Sequence, residues 1–311
     1  MRYAVIDIGT NTTRLLVRDD LTPREDILRE VAITRLGNGL ENTGELSIES
    51  MRITKDCVIK YVNKAIELGV EQNSINIFAT AASRNSTNGK DFIESLEKET
   101  GVVSQIISGE VEGTCAFQGA LSGLSNPAPR IVVFDIGGGS TEFALSTQSD
   151  VYACEEVVSI PIGSVRITQR HLLSDPPAPE ELSNAIGDIT EYLKEVHTKI
   201  PDLGYVNKWV GVAATATTTA AVEIGLPEFD AKKIHEFVLT REMAEDVFRT
   251  LATESTEDRK HNPGLEPERA EVIVGGVAII VSIMRYFDLA SITVSCTDLL
   301  DGLWLKVVTE K

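Results

Sequence analysis

Apolar and polar residues follow one another along this chain in blocks that predict strands and helices in turn. Short apolar runs at residues 3–6, 75–80 and 131–134 are typical of buried strands. Residues 50–68 and 180–197 instead repeat their apolar positions with the period of a helix. This alternation predicts an α/β protein.

The most informative feature is an internal repeat. The segment YAVIDIGTNTTRLLV from Tyr3 aligns with IVVFDIGGGSTEFAL from Ile131, so that Asp7 pairs with Asp135, 128 residues later. Each copy has an apolar strand, an aspartate, a turn of small polar residues and a second apolar strand, which is the pattern of a β-hairpin. Two such hairpins predict two similar domains, residues 1–124 and 125–299.

The turns of both hairpins have the composition of anion-binding loops. Glycines let backbone N–H groups approach an anion, and Ser and Thr hydroxyls add donors. A strand follows the glycines at 137–139, which excludes the dinucleotide fingerprint because that motif needs a helix there. No Gly-Lys-Ser/Thr step occurs, which excludes a P-loop. Hydroxyls after Ala214 could cap a helix or present its N-terminus to another phosphate.

Charge and composition narrow the possible partners. The net charge of −18 argues against nucleic acid and favours a short substrate over a long polyanion. No apolar stretch approaches the ~20 residues that span a bilayer, and the N-terminus lacks a secretory pattern, so no membrane partner is expected. Four scattered cysteines indicate reduced thiols. These features favour a cytoplasmic protein.

Four segments resemble the exopolyphosphatase/guanosine pentaphosphate phosphohydrolase (Ppx/GppA) family: DIGTNT from Asp7, ISGEVE ending at Glu112, DIGGGSTE from Asp135, and PERAEVIVGG from Pro267. The resemblance covers essentially the whole chain. It implies the duplicated ribonuclease-H-like fold of the actin, sugar-kinase and chaperone ATPase superfamily, with the active site in the interdomain cleft. It also implies a C-terminal helix at 300–311 that packs back on the first domain, and a short form without the C-terminal helical domains of longer relatives. A homodimer is expected by analogy.

The resemblance assigns the general base to Glu112. A water that attacks a terminal phosphoryl group needs a nearby acceptor for its proton, and a carboxylate at a helix start could supply it. Glu110 and Glu112 also suit a first helical turn, so spacing alone leaves both readings open. Val111 replaces an acidic residue often found beside the base. Arg84 matches a motif arginine that faces the phosphates, where a guanidinium stabilises transition-state charge.

The same resemblance implies a metal site and phosphate contacts. Asp135 and Glu142, with Asp7 as the symmetric partner, would associate with Mg²⁺, or Mn²⁺, which prefers a few oxygen ligands plus substrate phosphates. Arg269 is a weaker match, and Ala214 stands before Thr215 where glycine is usual. The expected phosphate-binding residues are Thr10, Asn11, Thr12, Gly137, Gly138, Gly139, Ser140, Thr215 and Arg269.

Three functions follow from these observations. The first is an exopolyphosphatase that releases terminal orthophosphate from inorganic polyphosphate, with short chains preferred. The second is a guanosine pentaphosphate (pppGpp) 5'-phosphohydrolase, for which no sequence feature specifies a guanosine pocket. The third is an ATP-binding actin-like kinase or scaffold, against which the position of Glu112 argues.

Overall fold

The computed structural model describes residues 1–203 and 206–310, so Lys311 of the predicted C-terminal segment lies outside the described residues. Two mixed β-sheets with helices on their faces make up the fold. No helix in these residues is long and apolar enough to cross a membrane.

The first sheet has five strands in the order β3-β2-β1-β4-β5. Strands β1 to β3 form an antiparallel meander, whereas β4 and β5 run parallel to β1. The elements of this half are β1 (Arg2–Ile8), β2 (Thr12–Asp19), β3 (Asp26–Ile33), α1 (Leu40–Thr43), α2 (Ile48–Glu67), β4 (Ile75–Ala79), α3 (Ala81–Asn85), α4 (Gly89–Thr100), β5 (Ser104–Ile106) and α5 (Gly109–Gly123).

The second sheet repeats this order with one added edge strand. Its meander β6-β7-β8 is followed by β9 parallel to β6 and β11 parallel to β9, while β10 pairs antiparallel with β11. The elements are β6 (Ile131–Ile136), β7 (Thr141–Ser146), β8 (Cys154–Ile160), α6 (Ser164–His171), α7 (Pro179–Lys199), β9 (Lys208–Val212), α8 (Ala213–Ile224), α9 (Ala231–Ile234), β10 (Val238–Thr240), α10 (Arg241–Thr253), α11 (Thr256–Arg259), α12 (Ile273–Tyr286), β11 (Ser291–Val294) and α13 (Leu299–Thr309). The shared strand order confirms the predicted duplicated α/β fold.

Helices α5 and α13 lie between the two halves and pack against each other. Helix α5 also packs on β6, β7 and β8 of the second sheet, although it precedes the predicted boundary at 124, and α13 packs on β1 and β2 of the first. A Cβ added to Gly119 of α5 would lie 1.9 Å from the Asp298 carbonyl oxygen, so glycine permits contact between the two backbones. Phe117 and Trp304 are fully buried in the apolar cluster between the sheets. This packing fixes the start of α5, where Glu112 lies.

Candidate active site

The two hairpin turns meet at the bottom of a cleft between the sheets. A Cβ added to Gly139 would lie 2.6 Å from the Thr10 hydroxyl oxygen, which shows how closely the turns approach. The cleft has a volume of about 640 Å³. Both turns, the start of α8, the loop before α13 and the side chains of Glu112 and Asp135 line it.

Three adjacent strands of the second sheet place three polar residues in one row. Asp135 on β6 pairs in register with Glu142 on β7, and Glu142 pairs with Ser159 on β8. Directly opposite residues of antiparallel strands project from the same face. The Ser159 hydroxyl donates a hydrogen bond of 2.7 Å to Glu142 Oε1. Asp135 and Glu142 are buried, and the Asp135 carboxylate accepts no hydrogen bond from the described part of the chain.

The corresponding row of the first sheet has a different charge pattern. Asp7 on β1 pairs with Arg14 on β2, and Arg14 pairs with Val31 on β3. Arg14 Nε donates to Asp7 Oδ2 at 2.9 Å, and Arg14 Nη1 donates to Asp298 Oδ2 at 2.5 Å. The other oxygen of Asp7, Oδ1, is buried without a hydrogen-bond partner among the residues that the structure describes. The guanidinium therefore sits between two carboxylates.

Glu112 lies in the first turn of α5. The helix begins there because the Ser108 side chain caps it by accepting from the Val111 backbone N–H at 3.2 Å. Arg84 Nη1, from α3, donates both to Glu112 Oε2 and to the Ile107 carbonyl, each at 2.9 Å. The arginine thereby holds the glutamate beside the cleft.

Burial raises the pKa values of the clustered carboxyl groups. Desolvation raises the pKa of Asp135 to about 8, with the Asp298 charge adding to the effect and Arg14 opposing it. Desolvation also raises the pKa of Glu112 to about 7, although Arg84 opposes it. Desolvation, then the charges of Glu112 and Asp135, raise the pKa of Glu142 well above its usual range. Burial therefore favours the protonated forms of these carboxyl groups, and a bound cation would favour their ionised forms.

Comparison with known proteins identifies the family. Residues 17–311 match the Ppx/GppA phosphatase family. The chain belongs to this family. It is 34% identical over 99% of its length to a bifunctional 3-dehydroquinate synthase/phosphatase of Fusobacterium nucleatum, but spans only 47% of that relative. It is 32% identical to exopolyphosphatase 2 of Mycobacterium tuberculosis, with 98% of each chain covered.

A solved Ppx/GppA structure agrees with this identification. The Aquifex aeolicus family member superposes with a TM-score of 0.80 at 30% identity, covering 100% of this chain and 99% of that one. The predicted family is therefore confirmed. The predicted enzyme class, a phosphoanhydride hydrolase, is confirmed at the level of the family.

Most of the residues that sequence analysis assigned to this Ppx/GppA site line the cleft. Thr215 also donates its hydroxyl to the Ile136 carbonyl at 3.1 Å, so that group is already engaged. Ala213, at the start of the same helix, adopts the left-handed conformation that favours glycine. The predicted residues on the cleft wall are Thr10, Asn11, Thr12, Glu112, Asp135, Gly137, Gly138, Gly139, Ser140, Thr215 and Arg269.

Three predicted residues are not among those that line the cleft. Asp7 is ion-paired with Arg14, Glu142 is hydrogen-bonded to Ser159, and Arg84 is paired with Glu112. Arg84 thus contacts the expected base, and its predicted phosphate contact stays a prediction. Arg269 pairs with Glu266 at the cleft rim.

The sequence alone indicates no role for Arg14, Arg29 or Asp298, all of which line the cleft. Burial opposes ionisation of Asp298, but Arg14 and Arg29 hold its pKa below the usual range. Arg14 stood in the repeat, where it aligns with Glu142. The reversal of charge between Arg14 and Glu142, at equivalent positions of the repeat, is the sequence signal that could have identified Arg14.

The carboxylates suit a hard divalent cation that keeps most of its ligands as water or substrate oxygen. Within residues 1–203 and 206–310, no three His, Cys, Asp or Glu side chains converge closely enough to hold a metal by themselves. Asp135 nevertheless faces the cleft without a hydrogen bond, and Glu142 is its neighbour in the row. Mg²⁺ is commonly bound through one or two carboxylates plus phosphates, so the available oxygens fit it.

Proposed function

We propose that this protein is an exopolyphosphatase that releases terminal orthophosphate from short inorganic polyphosphate. The observation that carries the proposal is Glu112, a buried glutamate held by Arg84 on the wall shared with the glycine-rich turn and Asp135. An acceptor, anion-binding loops and metal-compatible carboxylates in one cleft are the parts that phosphoryl transfer to water requires.

In this proposal Glu112 accepts a proton from the attacking water. Arg84 keeps the carboxylate oriented and favours its ionised form. Backbone N–H groups at 137–139 and hydroxyls of the first turn bind the phosphoryl oxygens. Asp135 and Glu142 would hold Mg²⁺, which would supply positive charge against the phosphates.

The charges on the cleft wall favour a short substrate. The three arginines that line it, Arg14, Arg29 and Arg269, are each paired with a carboxylate. No lysine belongs to the wall within the described residues. A long polyanion would need unpaired basic groups along its path, whereas a short chain needs only the turns and a cation.

The test measures phosphate release with Mg²⁺ from short polyphosphate, long polyphosphate, pppGpp and ATP. We expect release from polyphosphate, and a loss of about 10²- to 10⁴-fold in Glu112→Gln because the base is removed without a change of size. Release confined to pppGpp would favour the second candidate. Unchanged turnover in Glu112→Gln would contradict the assignment of the base.

The second candidate, a pppGpp 5'-phosphohydrolase, is favoured by a group of apolar residues that line one side of the cleft. Leu226, Pro227, Phe229 and Leu265 line this side, and Phe229 is 59% exposed. An exposed aromatic ring can stack on a nucleobase, which a bare polyphosphate lacks. Phe229→Ala should then raise KM for pppGpp several-fold and leave KM for polyphosphate unchanged. A KM for pppGpp that changes no more than the KM for polyphosphate would count against a base-binding role.

The third candidate, an ATP-binding actin-like kinase or scaffold, is tested by measuring ATP binding beside the same phosphate-release assay. ATP binding without phosphate release from any of the four substrates would support it over hydrolysis. Action in the cytoplasm and a homodimeric state are part of the proposal. The first rests on the composition and N-terminal pattern of the sequence, and the second rests on the family resemblance alone.

A further inference from the structure

Ser159 is placed between two elements of the site. Its hydroxyl donates to Glu142 Oε1 at 2.7 Å from the neighbouring strand. On its other side, a Cβ added to Gly109 would lie 2.4 Å from Ser159 Cβ, so the start of α5 rests directly on this serine. Glu112 follows Gly109 by three residues on the same helix. One side chain thus contacts both the second carboxylate and the helix that carries the expected base.

We propose that Ser159 is a positioning residue that fixes Glu142 for the cation and sets the distance between Glu142 and the start of α5. The inference rests on the proposed function, in which Glu142 contributes to the metal site. Groups that orient metal-binding carboxylates commonly change metal affinity or activity 10- to 100-fold when they are removed.

A second contact between α5 and the hairpin supports this role. A Cβ added to Gly113 would lie 3.3 Å from Glu142 Cβ and 2.5 Å from Val157 Cγ1. Helix α5 therefore lies against β7 and β8 without an intervening side chain at two points one turn apart. Because this spacing is so close, the Glu142 side chain has little freedom, and the Ser159 hydroxyl, together with a hydrogen bond from Ser140, is placed to fix its orientation.

The internal repeat provides an independent comparison. Val31 occupies the position of Ser159 in the first sheet, 128 residues earlier, next to Arg14 instead of Glu142. Val31 is 52% exposed and offers no side-chain hydrogen bond. The hydroxyl therefore occurs on the sheet where the middle strand carries a carboxylate, as a positioning role requires.

The test compares Ser159→Ala, which removes the hydroxyl, with Ser159→Cys, which keeps a weak donor of similar shape. Mn²⁺ binding in the presence of inorganic phosphate is followed by electron paramagnetic resonance, independently of turnover. We expect Ser159→Ala to weaken Mn²⁺ binding 10- to 100-fold and to lower kcat with KM changed less than twofold, and Ser159→Cys to fall in between.

A matched control uses the same substitution at a buried serine of the same sheet. Ser146, at the end of β7, accepts from the Ile131 backbone N–H at 2.9 Å, far from the cleft wall. Ser146→Ala should lower the melting temperature and leave Mn²⁺ affinity and kcat unchanged. Unaltered Mn²⁺ affinity in Ser159→Ala, or equal losses in Ser159→Ala and Ser159→Cys, would overturn the inference. A wild type without polyphosphatase activity would instead refute the proposed function, since the Mn²⁺ measurement still reports on Ser159.

Discussion

The two hairpins that meet in the cleft have the same backbone arrangement, but their side chains differ in charge. In the first, Asp7 faces Arg14, which also binds Asp298, so that one cation lies between two carboxylates. In the second, Asp135 faces Glu142, and no arginine replaces the missing cation in that row. The duplicated scaffold therefore has one half whose charges are largely balanced internally and one half that requires a cation from outside.

Because of this difference in charge, the first hairpin should contribute mainly to stability and the second mainly to function. A buried ion pair is costly to break because either partner alone is left charged and desolvated. Two neighbouring buried carboxylates are costly in the free protein but become favourable when a divalent cation and phosphates arrive. Changes in the first hairpin should mainly affect folding, and changes in the second should mainly affect catalysis and metal binding.

The largest effect is expected from removing the cation of the first hairpin. Arg14→Met leaves Asp7 and Asp298 buried without their shared partner, which should cost about 3 to 5 kcal/mol of stability. Urea unfolding measures the change. The control is Arg52→Met on the exposed face of α2, where the pairs with Glu49 and Asp56 are open to solvent and should contribute little to stability. Equal losses in both variants would show that the buried pairs are not special.

The next effect concerns activity, and it compares equivalent aspartates. Asp135→Asn should lower kcat by about 10² to 10³-fold, since it removes charge that the proposed cation needs. Asp7→Asn should lower kcat less than tenfold, because the amide oxygen can still accept from Arg14. Steady-state kinetics at saturating Mg²⁺ distinguishes the two. Similar losses in both variants would contradict the division of roles between the hairpins.

A smaller effect is the pH dependence of stability without metal. The pKa of Asp135 is raised in the folded state to about 8, so the folded protein holds a proton that the unfolded chain releases near pH 4. Stability should therefore fall as pH rises from about 5 to 8, by up to about 1.4 kcal/mol per pH unit for each such proton. Thermal unfolding at several pH values should show a shallower slope in Asp135→Asn and with added Mg²⁺, and an unchanged slope in Asp135→Asn would contradict this account.

The sequence predicted those parts of the fold that have a local signal. Helices α2 and α7 have strong apolar periodicity, and the hairpins repeat a distinctive motif, so these elements were foreseen. Strand β3 was not, because it is a half-exposed edge strand with charged residues and weak alternation. Because β3 was not predicted, the equivalence of Val31 on β3 and Ser159 on β8 could not be recognised from the sequence.

The site could be predicted only as far as its motifs extend. Glu112 and the glycine-rich turn lie in recognisable segments, and both line the cleft. Contacts such as that between Arg14 and Asp298 join residues 284 positions apart. They depend on α13 returning between the sheets, and no local pattern reports such packing. The same holds for Ser159, whose two contacts come from a neighbouring strand and from α5.

The smallest effect expected is a shift in the pH dependence of turnover. Arg84 is ion-paired with Glu112, as Arg14 is ion-paired with Asp7, but only the pair of Arg84 and Glu112 includes the proposed base. Because Arg84 lowers the pKa that burial raises to about 7, Arg84→Met should raise it further, and the acidic limb of kcat/KM should move up by about one pH unit. If the acidic limb shifts and the maximal kcat/KM stays within tenfold of the wild type, Arg84 acts through Glu112. If the limb stays in place and the maximal kcat/KM collapses, Arg84 contacts the phosphates, as the sequence motif predicted.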